Sequence, residues 1–249
     1  MTLEGKVSIV TGSGRGIGSA TAKLLARNGA KVTVNYKQNR EAGEKTLSEI
    51  KASGGDGILF HADVTEPDQV RAMVEKTEQE LGPVDILVNN ANMRFPIEPF
   101  VEFQWEGFEQ KLLHEMRAAF YCCQTVAKSM VKRKHGCIVN VSSGLSRVPG
   151  PGFIAHTSAK SALDGFSKAL ALELGPHGIR VNVVAPGLTL TDATASRSQA
   201  MKDAIAERTP LKRLGEPIDI AGAILFYCME WSQFVTGTYM PVNGGTQMS

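Results

Sequence analysis

Residues 6–18 read KVSIVTGSGRGIG. An apolar, β-branched run passes into a glycine cluster and then into GIGSATAKLLARNGA (16–30). There Ala20, Leu24 and Leu25 recur on one stripe, and Gly29 stops the pattern. Strand, glycine-rich loop and helix, in that order, form the context a dinucleotide-binding loop requires. Glycines let the backbone approach a pyrophosphate, and the helix N-terminus offers free N–H groups and the positive end of its dipole. The glycines that set the spacing are Gly12, Gly16 and Gly18, with Ile17 where the commoner G-x-G-x-x-G pattern has its last glycine.

Outward from this unit the same alternation continues. KVTVNY (31–36), GILFHADV (57–64), PVDILVNNA (83–91), CIVNVSS (137–143), IRVNVVAPG (179–187) and GTYMPVNGG (237–245) read as strands. Helix-period segments separate them: 40–55, 66–82 with Pro67 in its first turn, about 105–134, 153–178 and about 216–229. Strands that are apolar throughout and alternate with helices indicate a parallel sheet covered on both faces. The expectation is an α/β fold: one doubly wound Rossmann-type domain over 1–249, with about seven strands. The polar stretch 189–213 interrupts the rhythm.

With 249 residues, 43% of them hydrophobic, the chain can bury a full core. A net charge of +2 gives no reason to expect nucleic acid or an anionic membrane as partner, and KRKH (132–135) suits a solvated helix C-terminus. No charged leader precedes the first strand pattern and no run approaches a membrane span, so the expected location is cytoplasmic. Cys122, Cys123, Cys137 and Cys228 form no CxxC pair and read as reduced, mostly buried thiols. His114, Glu115 and His156 have no recognised ligand spacing, and no metal is expected.

The second strand ends in NYKQNR. A fold of this kind that prefers NAD carries Asp or Glu near that point to hold the ribose 2′-hydroxyl. Here Tyr36 stands at the acidic position, Lys37, Arg40 and the loop residue Arg15 are placed to meet a 2′-phosphate, and no carboxylate is expected there to repel it. The cofactor expected is NADP(H) in preference to NAD(H).

Nearly end to end, the chain resembles the short-chain dehydrogenase/reductase family, and within it the 3-oxoacyl-[acyl-carrier-protein] reductases. TGSGRGIG (11–18) resembles the family's phosphate loop. ADV (62–64), with Asp63 and Val64, resembles its adenine-pocket segment. NNA (89–91), with Asn89 and Ala91, resembles its fourth-strand motif. VAPGLTLTD (184–192), with Pro186, Gly187 and Thr191, resembles its nicotinamide-side segment, and VTGTYMPVNGG its last strand. The resemblance implies hydride transfer between nicotinamide and a carbonyl or alcohol. A serine holds the substrate oxygen, a tyrosine moves the proton, and a lysine binds the ribose and lowers the tyrosine pKa. An asparagine helps build a water relay.

Ser143 matches the serine and Lys160 the lysine. The tyrosine position holds His156, the asparagine position Glu115, and NNAG has become NNAN at Asn92. Tyr36, Tyr121, Tyr227 and Tyr239 belong to other segments. His156 and Lys160 share a helix face. A cation beside histidine disfavours imidazolium, so Lys160 lowers the pKa that it would usefully lower in a tyrosine. Glu115 is expected to raise it again and restore a usable acid. The resulting reading is an atypical site, Glu115, Ser143, His156 and Lys160, in an NADP-dependent oxidoreductase. Two alternatives stand beside it: a catalyst of elimination, isomerisation or cyclisation without net redox turnover, and a non-catalytic partner subunit.

Residues 92–103, 145–153 and the lid stretch 189–213 are expected to shape an apolar cleft, with Arg94, Arg147 and Arg197 at its mouth. The substrate class is a small molecule or a carrier-bound acyl group. The resemblance also implies a homotetramer or dimer on the helices 105–134 and 153–175, where Ala159, Ala162 and Gly165 permit close packing.

Overall fold

The seven β-branched runs become seven parallel strands. A computed structural model describes residues 3–247; the two residues at each end of the expected domain, including the start of the segment judged to lack a leader, lie outside them. The strands are β1 (Val7–Val10), β2 (Lys31–Tyr36), β3 (Gly57–His61), β4 (Ile86–Asn89), β5 (Gly136–Val141), β6 (Ile179–Pro186) and β7 (Tyr239–Val242). Their order across the sheet is β3-β2-β1-β4-β5-β6-β7, so the winding reverses between β1 and β4. A reversal opens a crevice at the carboxyl ends of the strands, where folds of this kind bind ligands.

Helices α1 (Gly16–Arg27), α2 (Arg40–Ala52), α3 (Pro67–Glu80), α4 (Trp105–Arg133), α5 (Ile154–Leu174), α6 (Gln199–Arg208) and α7 (Pro217–Cys228) connect them. Two apolar layers sandwich the sheet. On one face Val10, Val32, Val88 and Val139 pack against Leu25 of α1 and Ile220 and Ile224 of α7. On the other Ile9, Leu87, Ile138 and Val181 meet Met73 of α3, Val126 and Met130 of α4 and Leu174 of α5. Each such side chain taken fully out of water contributes about 1.5–3 kcal/mol, which is why central strands buried on both faces carry unbroken apolar runs.

The expected boundaries shift where turns take over. The 153–178 segment is helical to Leu174, tightens into a 3-10 turn over 175–177, and stops at Gly178 with φ 71°. Within the polar stretch 189–213 the structure places a helix, α6, that the sequence pattern did not indicate; none of its residues is buried. All four cysteines are buried and free. Among the described residues, no helix is long and apolar enough to cross a membrane.

Candidate active site

The phosphate loop is built by backbone geometry. Gly12 and Gly16 have φ +60° and +56°, in the left-handed region that L side chains avoid. A Cβ on Gly12 would stand 3.0 Å from Ala91 Cα, and one on Gly18 would collide with Asn90 Nδ2 and the Gly12 carbonyl. Helix α1 starts at Gly16 with no side chain capping its first turn. Bare glycine backbone before an uncapped helix N-terminus fits a dinucleotide pyrophosphate.

Two asparagines hold this loop to the sheet. Asn90 Nδ2 donates to the Thr11 and Gly12 carbonyls at 2.8 and 3.1 Å. Asn35 Oδ1 accepts from Gly12 N at 3.0 Å, and its Nδ2 donates to the Ala62 carbonyl at 3.1 Å. Neither was singled out in the sequence. Asn89, which was, turns inward: its Nδ2 donates to Asn140 Oδ1 at 2.8 Å and to Cys123 Sγ at 3.2 Å. Strand alternation explains the split, since successive side chains point to opposite sides.

Around the expected cofactor path, Thr191 Cγ2 lies 3.4 Å from where a Gly16 Cβ would be, so the segment after β6 reaches the loop. Gly187 is packed backbone to backbone: its N–H donates to the Val242 carbonyl at 2.9 Å, and a Cβ would meet Asn243 Cα at 2.9 Å. Asp63 Oδ1 accepts from Thr65 N and Oγ1 at 3.0 and 2.8 Å, and Val64 is buried. The cations read as a 2′-phosphate site all meet carboxylates. Lys37 pairs with Asp63 at 2.5 Å, Arg40 with Glu44 at 2.7 Å, and Arg15 approaches Asp192 at 4.0 Å. The expectation that no carboxylate stands near them is therefore corrected. Tyr36 packs its ring 5.2 Å from that of His61.

The residues expected to react lie where β5, α4 and α5 converge. Ser143 follows β5 and caps a short 3-10 turn, its Oγ accepting from Leu145 N at 3.2 Å. Lys160, buried on α5, donates to the Val141 carbonyl at 2.8 Å and to Glu115 Oε1 at 2.6 Å. Glu115, buried on α4, accepts from a second lysine, Lys111, at its other oxygen at 2.5 Å. Burial by itself would raise the Glu115 carboxyl, but Lys160 and Lys111 outweigh it and hold it at about 2.

His156 lies on α5 with only 7% of its surface exposed. Its ring stacks on Phe95 at 4.4 Å and 20°. Its Nδ1 is buried without a partner. Burial, then Lys160, then Lys111 lower its pKa to about 3, against a smaller opposing pull from Glu115. This corrects the expectation that Glu115 restores a proton donor. The carboxylate is already shared by two ammonium groups, so the field at the imidazole stays positive. At neutral pH His156 is an uncharged imidazole, able to donate one hydrogen bond and to accept another.

The arginines expected at the mouth divide. Arg147 sits 4.5 Å over the Tyr239 ring and 3.8 Å from Asp164. Arg197 lies over the Phe153 ring at 5.8 Å, and Arg94 is exposed. Tyr239 donates through its hydroxyl to the Ser143 carbonyl at 3.2 Å, a contact with the backbone of the serine that the sequence did not suggest. Of the small residues on α5, Ala159 is already buried inside the protomer, Ala162 is half-buried and Gly165 is exposed.

Doubly wound sheet, glycine loop at the switch point, and a buried lysine four residues after His156 form a scaffold of the dinucleotide-binding class. The chain belongs to the short-chain dehydrogenase/reductase family. The family described as enoyl-(acyl carrier protein) reductase matches residues 12–247. The chain is 34% identical over 243 residues to a 3-oxoacyl-[acyl-carrier-protein] reductase of Staphylococcus epidermidis, covering 98% of this chain and 99% of that one. It is 35% identical over 247 residues to a 3-oxoacyl-[acyl-carrier-protein] reductase of Synechocystis, covering 99% and 98%. It is 36% identical over 248 residues to an uncharacterised oxidoreductase of Methylorubrum extorquens, covering 98% and 99%.

Proposed function

We propose that this protein is an NADP(H)-dependent oxidoreductase acting on a carbonyl or alcohol of an acyl-type substrate, small or carrier-bound, through Ser143, His156 and Lys160. The observation that carries the reading is Lys160. Its ammonium is buried at the carboxyl end of β5 and held by Val141 O and Glu115, with His156 one turn before it on α5. The relatives named as acyl-carrier-protein reductases favour the acyl substrate.

Backbone at Gly12, Arg15, Gly16, Ile17 and Gly18 holds the pyrophosphate. Asp63 and Val64 border the adenine, with Tyr36 and Lys37 beside its ribose. Ala91, Pro186, Gly187 and Thr191 line the nicotinamide side. When bound, the nicotinamide supplies or accepts a hydride. Ser143 Oγ holds the substrate oxygen, and Lys160 has a donor hydrogen left beyond its two protein acceptors for the ribose hydroxyls. His156 takes the place of the family's tyrosine. Held uncharged with its pKa at about 3, it can hydrogen-bond the substrate oxygen but takes on a full proton only at a cost, so proton transfer at this site is expected to be slow at neutral pH.

The second reading is proton abstraction α to a carbonyl without net redox change, as in elimination, isomerisation or cyclisation, with His156 and Glu115 at the reacting position. One experiment orders these readings. Fluorescence titration with NADPH, with NADH as control, is expected to give micromolar binding of NADPH and weaker binding of NADH. One cofactor converted per product then supports the oxidoreductase; product without cofactor change supports the second reading. No binding of either nucleotide removes the oxidoreductase and leaves a partner subunit or a cofactor-free catalyst.

A further inference from the structure

Among the charged groups that act on His156 is one that neither the motifs nor the proposed mechanism uses. Lys111 lies one helical turn before Glu115 on α4, and its side chain is 0% exposed. Its ammonium has three donors and three acceptors: Asn92 Oδ1 at 2.8 Å, the Met93 carbonyl at 3.1 Å and Glu115 Oε2 at 2.5 Å. It also stands 5.0 Å from the centroid of the Phe95 ring. Phe95 is the ring stacked on His156. One fully satisfied cation therefore joins α4, the strap that leaves β4, and the aromatic cover of the imidazole. Farther along, the strap is tied to the turn before α5, where Glu98 N donates to the Gly152 carbonyl at 3.3 Å.

A buried ammonium is costly unless all its hydrogens are spent. A lysine at this place is hard to explain as packing, since an apolar side chain would fill the volume without that cost. We propose that Lys111 is a positioning residue for His156. By holding Asn92, Met93 and one oxygen of Glu115, it presses the Phe95 ring onto the imidazole and fixes which oxygen of Glu115 meets Lys160. This deepens the reading of His156 as the reacting group and rests on it.

The consequence concerns the imidazole's charge state. The charged groups acting on His156 are Lys160 on its own helix and Lys111 and Glu115 on α4. Arg197 of the lid segment lies over the neighbouring Phe153. Removing the Lys111 charge takes away one cation and frees the ring that excludes water. Both changes let the imidazole protonate more easily.

The test is a histidine Cε1–H NMR titration of the full chain from pH 4.5 to 8, with the His156 signal assigned through His156→Gln. In the wild type the His156 signal is expected not to titrate in this range. In Lys111→Met it is expected to titrate with a midpoint of about 5 to 6, toward the free histidine value of about 6.5. Lys111→Arg, which keeps the charge and the reach to Asn92, is expected to move it back down. A folded Lys111→Met protein whose His156 stays silent overturns the proposal, as does a wild-type His156 that titrates. Should Lys111→Met fail to fold, Phe95→Ala and Asn92→Ala take its place, because both residues lie on the strap outside the core. His156 must then titrate in at least the Phe95 variant, and silence in both overturns the proposal. The readout needs no nucleotide. A wild type that fails to bind NADPH removes the oxidoreductase reading while leaving the Lys111 result standing.

Discussion

Exchange of a tyrosine for a histidine beside a buried lysine reverses what that lysine does. A cation stabilises a phenolate and makes tyrosine a better acid; beside histidine it destabilises the imidazolium. His156 is held at about 3 by burial, Lys160 and Lys111, against 6.5 when free. A group whose folded pKa is depressed contributes stability above its unfolded value and loses it as the pH falls toward the folded value. Denaturant unfolding at pH 7, 6 and 5 is therefore expected to show stability falling with acid, by up to about 1.4 kcal/mol per pH unit from this one group below pH 6.5. Glu115, held near 2 from 4.5, adds to the loss only below about pH 4.5. His156→Phe removes the titrating ring and its unpaired buried Nδ1, so its stability is expected to change much less between pH 6.5 and 5. An unchanged slope in that variant would mean that the imidazole is not held neutral by the fold. In the same variant, turnover is expected to drop at least a hundredfold, the usual scale for losing a general acid or base, with NADPH affinity changed little.

The elements were legible in the sequence to the degree that burial imposed a pattern on them. The central strands are buried on both faces, so β-branched runs marked them, and Gly29 followed the end of helix α1 as expected. Helix α6 buries none of its residues, so no apolar stripe announced it. At the site, Ser143, His156 and Lys160 were found because a motif carried them. Lys111 was missed because a helical lysine ordinarily reads as surface, and two of its acceptors lie 18 and 19 residues earlier in the chain. The one available hint was its i, i+4 spacing to Glu115. The surface pair of Lys37 with Asp63 was equally hidden, since it joins side chains from separate elements, whereas Arg40 and Glu44 stand at i, i+4 on α2. The phosphate loop offers the clearest test at this scale. Gly18 faces Asn90 and the Gly12 carbonyl so closely that any Cβ must displace them. Gly18→Ala is expected to weaken NADPH binding about tenfold or more in the fluorescence titration while the far-ultraviolet circular dichroism stays unchanged. Unaltered affinity would mean that the loop does not hold the pyrophosphate.

For the molecule as a whole, the apolar residues left in solvent bear on assembly. Leu172 on α5 is 82% exposed and Phe120 on α4 44% exposed, two helices that cover the same face of the sheet. Gly165, on the open side of α5, has nothing within 4 Å of where a Cβ would stand. A glycine on an open helix surface has no role inside the protomer, whereas it lets a second helix approach closely. Pairing α4 and α5 with their copies about a two-fold axis would bury these side chains against themselves, as an isologous contact requires. The expected state is therefore a dimer or tetramer. Sedimentation velocity is expected to give a mass of two or four chains for the wild type. Leu172→Glu sets two like charges against each other across such an axis, and is expected to shift the distribution toward smaller species. Because Leu172 lies outside both core layers, the variant should keep the thermal stability of a folded protomer. A wild type that sediments as one chain at about 20 µM, below which only interfaces of roughly micromolar Kd or tighter persist, would remove α4 and α5 as an assembly face.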